Sequence, residues 1–248
     1  MALAANAMAQ QCPTEPDWSY TGDTGPSNWN ELFPIMCGQG VLQSPIDIQT
    51  TKGNLIPAKL PKLVFKFNKG HITFLDHDDQ VQISHGEKNF ITIGGEEYNL
   101  INVHVHTTSE HTIDGNSYPL EIHYVLQSPS SGLIAVVAVL VKVGKSDSGV
   151  ITPPNEADPA TVELDLTQLI PKDTKSYVRY TGSLTTPGST TALPRCQEGI
   201  LWTVMLKPIT MSQNQIDDFQ NSEVGCWGTE TTNRPIQPIG DRPILSNH

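Results

Sequence analysis

The stretch from Lys62 to Val143 is cut into short apolar runs, and that cutting constrains the fold more than any other feature of the chain. The runs KLVFKF, HITFLD, QVQISH, NFITIGG, NLINVHVHT, LEIHYVLQ and LIAVVAVLVKV are rich in β-branched and aromatic residues. GEKN, IGGEE and IDGNS stand between them as turn signals. Branched side chains lose rotamer freedom in a helix but fit a pleated surface, and Gly, Asn and Asp supply the backbone conformations of tight turns. Strands in such quick succession leave no room for the helices of a βαβ alternation, so the pattern predicts a mainly β (α+β) chain. Helical signal is confined to two places. TVELDLTQLIP predicts a short helix stopped by Pro171, and SQNQIDDFQNS predicts another with Ser212 as its N-cap.

At 248 residues the chain is long for one domain, yet all-β domains reach this size. No repeat, low-complexity block or linker divides it, so residues 12–248 are expected to form one domain. Residues 1–11, within the alanine-rich MALAANAMAQQC, read as a signal-peptide remnant or a disordered tail. The net charge of −11 excludes nucleic acid and anionic membrane surfaces as partners, since both need a basic face. The longest apolar run, Leu133–Val141, is too short to cross a bilayer as a helix, so no transmembrane segment is expected. Four cysteines are present, Cys12, Cys37, Cys196 and Cys226, and none forms a CxxC pair. That argues against a cysteine zinc site. The even count and wide spacing suit one or two disulfides in an oxidising compartment; four unrelated buried thiols remain the alternative.

The segment NVHVHTTSEHTIDGNSYPLEIHYV, Asn102–Val125, holds four of the eight histidines. Residues two apart in a strand share a face, so His104 and His106 project together while Val103 and Val105 face the other way. Glu121 and His123 likewise share a face, opposite Leu120, Ile122 and Tyr124. The turn between the two segments makes them antiparallel neighbours, and three imidazoles then converge. Three histidines with an open fourth position are a catalytic zinc arrangement. One rival fits the same spacing: HxH followed by a glutamate and a glycine is also the first metal motif of cupins, with Glu110 as a ligand of iron or manganese. Cupins need a second motif downstream with its own histidine, and the only histidine after His123 is the terminal His248.

Taken together, five separated motifs resemble those of the α-class carbonic anhydrases, of an extracellular or periplasmic type seen in microbes and algae. They are QSPIDI (Gln43–Ile48), NKGH (Asn68–His71), the HVH/SEHT/LEIH set, GSLTTP (Gly182–Pro187) and NRPIQP (Asn233–Pro238), in the family's order from about Trp18 to Arg242. The resemblance implies a large, mostly antiparallel twisted sheet with the site in a central cone. It implies Zn2+ bound by His104, His106 and His123, and reversible hydration of CO2 to bicarbonate and a proton. Thr185 would orient the nucleophile and pass its own proton to Glu110, and Thr185 and Thr186 would line the substrate site. Val125, Val136, Leu184, Ile200 and Trp202 would form its apolar wall. His71 would carry the proton to solvent, and Tyr20 would help order the water chain. Glu121 and Asn102 would orient ligand histidines, with Asn102 one methylene shorter than the family's usual glutamine, and His111 would be structural.

The same resemblance implies a Cys37–Cys196 disulfide, leaving Cys12 and Cys226 to pair with each other or to link two chains. It further implies a secreted, extracellular or periplasmic protein, monomeric or dimeric, open to sulfonamide or anion inhibitors. The chain departs from the family pattern at Thr107-Thr108, where Trp-Gly is common, at Phe74 beside the shuttle route, and in a longer loop at 188–195. A non-catalytic relative serving as a storage, matrix or binding protein is the alternative; retention of all three ligands with Glu110 and Thr185 speaks for the enzyme.

Overall fold

The computed structural model describes residues 17–51, 54–68, 70–75, 80–83, 89–145, 161–188, 195–227 and 231–247, with the backbone alone at 70–75, 80–83, 161–164 and 222–227. The expected tail at 1–11, Cys12 and loop positions 189–194 lie outside these residues. The first strands are β1 (Asp47–Ile48), β2 (Leu55–Pro57), β3 (Leu63–Lys66), β4 (Gly70–Leu75), β5 (Gln80–Ile83) and β6 (Phe90–Ile93). The long β7 (Glu96–Thr107) follows, then β8 (Thr112–Ile113), β9 (Leu120–Gln127), β10 (Ile134–Val143) and β11 (Thr161–Leu164). The last are β12 (Tyr177–Ser183), β13 (Glu198–Met211) and β14 (Ile244–Ser246). Among the described residues helices are few: α1 (Trp29–Leu32), α2 (Gln213–Trp227) and short 3-10 or π turns.

One 12-stranded sheet runs in the order β11-β4-β5-β7-β9-β10-β13-β12-β14-β2, with β3 and β6 branching from β7. It is mostly antiparallel, as the family resemblance implies, but a parallel pair, β10 with β13, sits at its centre. That pair explains why β10 reads as an unbroken apolar run: Ile134–Val141 is buried on both faces. Each branched side chain fully buried there contributes about 1.5–3 kcal/mol.

The two faces carry different cargo. On one, Ile122, Tyr124, Val137, Val139 and Met205 pack with Ile216 and Phe219 of α2. On the other, Val125, Val136, Ala138, Trp202 and Val204 pack with Ile46 and Ile48. The three histidines expected to converge lie on this second face, because His123 stands two residues before Val125 and directly opposite His104.

One expectation changes in detail. In TVELDLTQLIP only Leu166–Leu169 is helical, as a 3-10 turn in which the Asp165 carboxylate accepts from the Thr167 N–H. Thr161–Leu164 instead adds to the sheet edge beside β4. There an available ladder outweighs a weak helical preference. The second helix begins after Ser212 as expected, through a capping box. The Gln215 N–H donates to Ser212 Oγ and the Ser212 N–H to Gln215 Oε1. The strands β12 and β13 are not marked by the short-run pattern, since Gly199 and Pro208 interrupt the second. Pro208 falls in a register shift between β10 and β13, where no ladder N–H is required.

Cys37, in a π turn after α1, and Cys196 are joined by a disulfide across 159 residues. The Cys196 N–H donates to the Thr186 carbonyl and the Leu184 N–H to the Gln197 carbonyl, so the bond braces the threonine loop. Cys226 lies in the part of α2 for which only the backbone is described.

Candidate metal centre

In the β7–β9 ladder His104 faces His123 and His106 faces Glu121. The three imidazole rings lie within 4.7–5.1 Å of one another, centroid to centroid. One nitrogen from each of His104, His106 and His123 can meet within a span of 4.8 Å. What decides their chemistry is the other nitrogen of each ring. His104 Nδ1 donates to Asn102 Oδ1 at 2.9 Å, His106 Nδ1 to the Thr232 carbonyl at 2.6 Å, and His123 Nε2 to Glu121 Oε1 at 2.8 Å. All three partners are acceptors, so each outer nitrogen carries the proton and each inner one presents a lone pair. Asn102 closes its contact despite its shorter reach.

Burial reinforces the neutral state. Desolvation pushes the His104 pKa well below its usual value, helped by the neighbouring His106 and His123. His123 is also pushed down by desolvation, against the opposing pull of Glu121. Burial would raise the Glu121 carboxyl, but His111, through its charge and hydrogen bond, and then His123 outweigh it and hold that carboxyl well below its usual range. His106 Nε2 and Glu110 Oε2 are buried without a hydrogen-bond partner among the described residues. An orphaned lone pair aimed at two others is what a cation with nitrogen preference would satisfy, and the donor set fits zinc.

Glu110, the ligand of the cupin reading, lies near the same point. Its Oε2 is 3.5 Å from His106 Nε2 and 4.0 Å from His123 Nδ1, while Oε1 accepts from the Arg234 N–H at 2.9 Å. No hydrogen bond joins it to Thr185, because Oε2 turns toward the histidines. Thr185 is buried and Thr186 half-buried on the loop after β12. A second close group, His111, Glu121 and His123, offers no such site. Glu121 already accepts from both rings, and His111 Nε2 is engaged by the Tyr180 hydroxyl at 2.6 Å.

Val125, Val136, Ile200 and Trp202 form one buried cluster with Leu184 packed against it, beside His123, whose ring lies 5.0 Å from that of Trp202. Tyr20 packs against Trp18 and Trp29 in the aromatic cluster around the disulfide. His71 lies on β4, opposite Glu163 of β11 in the backbone register; its side chain and that of Phe74 are outside the described set. Two participants are given no role in the sequence reading. Thr232 supplies a backbone carbonyl, which any residue type could do. Arg234 sits inside NRPIQP and ties Glu110 to Gln43 and Ser44.

The fold and this site define a mainly β protein in which three histidines converge closely enough to hold a metal ion. A family model described as eukaryotic-type carbonic anhydrase matches residues 24–248. A carbonic anhydrase of Klebsiella pneumoniae is 32% identical over 98% of this chain and 96% of its own length. An alpha carbonic anhydrase 2 of Arabidopsis thaliana is 34% identical, over 83% of this chain and 86% of its own. The structure of the α-carbonic anhydrase from Thermovibrio ammonificans, solved with the inhibitor sulfanilamide, superposes with a TM-score of 0.77 at 31% identity, covering 92% of this chain and 98% of that one. The chain belongs to the α-carbonic anhydrase family, enzymes of CO2 hydration. Among the described residues no helix is long and apolar enough to cross a membrane.

Proposed function

We propose that the chain catalyses reversible hydration of CO2 to bicarbonate and a proton with zinc held by His104 Nε2, His106 Nε2 and His123 Nδ1. The support is the set of three outward hydrogen bonds to acceptors, which leaves three inward lone pairs at one point. Zinc supplies Lewis acidity and a nucleophile at neutral pH, lowering the pKa of water to about 7, a value established on carbonic anhydrase itself. Thr185 would accept a hydrogen bond from that nucleophile and donate its own O–H toward Glu110, whose Oε2 faces the histidines without a hydrogen-bond partner among the described residues and would turn to Thr185 to accept it. The Arg234 N–H fixes the other oxygen of Glu110. Thr186 and the cluster of Val125, Val136, Leu184, Ile200 and Trp202 hold an apolar substrate beside the histidines.

His71 exports the proton, since imidazole titrates near neutral pH, and Tyr20 orders the water path. The sulfanilamide complex of the Thermovibrio relative supports sulfonamide binding here as well. The disulfide supports an oxidising home, secreted, extracellular or periplasmic. We assign the catalytic domain to residues 12–248, as a monomer or dimer.

Metal content and CO2-hydration rate measured on one purified sample test this reading. One zinc per chain with rapid hydration is expected. Stoichiometric zinc with no hydration would favour the non-catalytic alternative, and a metal with Glu110 in its coordination sphere would restore the cupin reading. His71→Ala should lower kcat far more than kcat/KM, with partial rescue by imidazole buffer; unchanged turnover in weak buffer removes His71 from the mechanism.

A further inference from the structure

We propose that the side-chain hydroxyl of Thr232 is a positioning group for metal binding, clamping the C-terminal segment to the end of β7 so that the Thr232 carbonyl stays on His106. The inference rests on the three-histidine metal reading above. Thr232 makes three hydrogen bonds to two consecutive residues. Its carbonyl accepts from His106 Nδ1 at 2.6 Å, its Oγ1 accepts from the Thr107 N–H at 3.1 Å, and its N–H donates to the Thr107 carbonyl. All three residues are buried: Thr107 is 0% exposed, Thr232 2% and His106 3%.

The need for a clamp follows from the local structure. Residues 231–239 belong to no helix or strand, so no ladder fixes the direction of the Thr232 carbonyl. Thr107 is the last residue of β7, where the regular ladder gives out. A hydroxyl in place of a strand partner fills that gap, and a β-branched threonine holds it in few rotamers. The segment's next anchor, the Arg234 N–H on Glu110 at 2.9 Å, lies two residues on. Between them these contacts set the carbonyl that keeps the proton on His106 Nδ1 and the lone pair on Nε2. An acceptor that fixes a ligand's tautomer is an outer-shell contact whose loss costs metal affinity.

The test compares Thr232→Val, which keeps the shape and removes the acceptor, with Thr232→Ser, which keeps the acceptor. Zinc affinity is read by chelator competition, zinc dissociation rate directly, and the stability of the metal-free proteins by thermal unfolding. Thr232→Val should bind zinc roughly 10-fold more weakly and release it faster, and Thr232→Ser should stay near wild type. Should the valine variant not fold, Thr232→Ala removes the same acceptor with less bulk against the Thr107 N–H and carries the same expectation. Lower metal-free stability with unchanged zinc affinity would make Thr232 merely structural and overturn the proposal. Wild-type protein that takes up no zinc would overturn the metal reading, and the clamp with it.

Discussion

His104 and His123 donate their outward hydrogen bonds to residues two positions earlier on the same strand, whereas His106 donates its own to a carbonyl 126 residues away. The difference has a simple cause. In a strand the nearest neighbour on the same face is two residues back. For His104 that neighbour is Asn102, and for His123 it is Glu121. For His106 it is His104, itself a candidate ligand. A strand that presents two ligands in alternation uses up the place where the second ligand's acceptor would stand. The third acceptor must therefore come from another part of the chain, and here it comes from the C-terminal segment.

The largest effect expected tests what the two kinds of site share. Replacing His104, His106 or His123 with alanine should each leave the purified protein without stoichiometric zinc. Retention of full zinc by any one variant would remove that histidine from the set. The next tests the two strand-borne pairs against each other. Glu121 is fully buried and bonded to both His111 and His123, while Asn102 is partly exposed. Glu121→Ala should weaken zinc binding roughly 100-fold and destabilise the fold by about 3 kcal/mol. Asn102→Ala should weaken zinc only about 10-fold, at the lower end for such contacts. Chelator competition and urea unfolding measure both, and equal losses would erase the contrast.

The disulfide separates long-range bracing from long-range orientation. Changing both Cys37 and Cys196 to serine should cost about 2–4 kcal/mol of stability, the typical range for such a bond. Zinc affinity should hardly change, because none of the three orienting hydrogen bonds passes through the disulfide. A large loss of zinc affinity would tie the threonine loop to the metal centre.

The smallest effect expected is on pH dependence. The folded pKa values of His104 and His123 lie below the ordinary 6.5, so the unfolded chain takes up protons first as pH falls. Stability of the metal-free protein should be level above about pH 7 and decline as pH drops through 6.5 toward 5. Glu121 adds nothing to that slope. Its depressed pKa stabilises the fold above the ordinary 4.5 and is lost only in stronger acid. A flat denaturation profile between pH 7 and 5 would argue that the rings are more solvated than their packing implies.

The part of the centre legible in the sequence is the part carried by period two. The alternation in NLINVHVHT and LEIHYVLQ put two histidines with Asn102 on one face and Glu121 with His123 on the other strand's matching face. The turn between them made the strands neighbours, and their register places His104 opposite His123. The five separated motifs pointed to the family, and the Ser212 cap to the start of α2. The helix expected at TVELDLTQLIP split into an edge strand and a 3-10 turn because a neighbouring edge was available, which local preference does not register.

By itself the sequence determined the strand faces, which depend on backbone geometry over two residues, while the roles of Asn102 and Glu121 beside the histidines came from the family resemblance. Only the tertiary structure decided the rest. It brought the Thr232 carbonyl to His106, turned the Glu110 carboxylate toward the histidines with Arg234 on its other oxygen, and set β10 parallel to β13 at the centre of the sheet. A carbonyl is common to every residue, so its identity carries no trace of such a role. Its position is set by where the whole chain passes, and that is a property of the packed sheet.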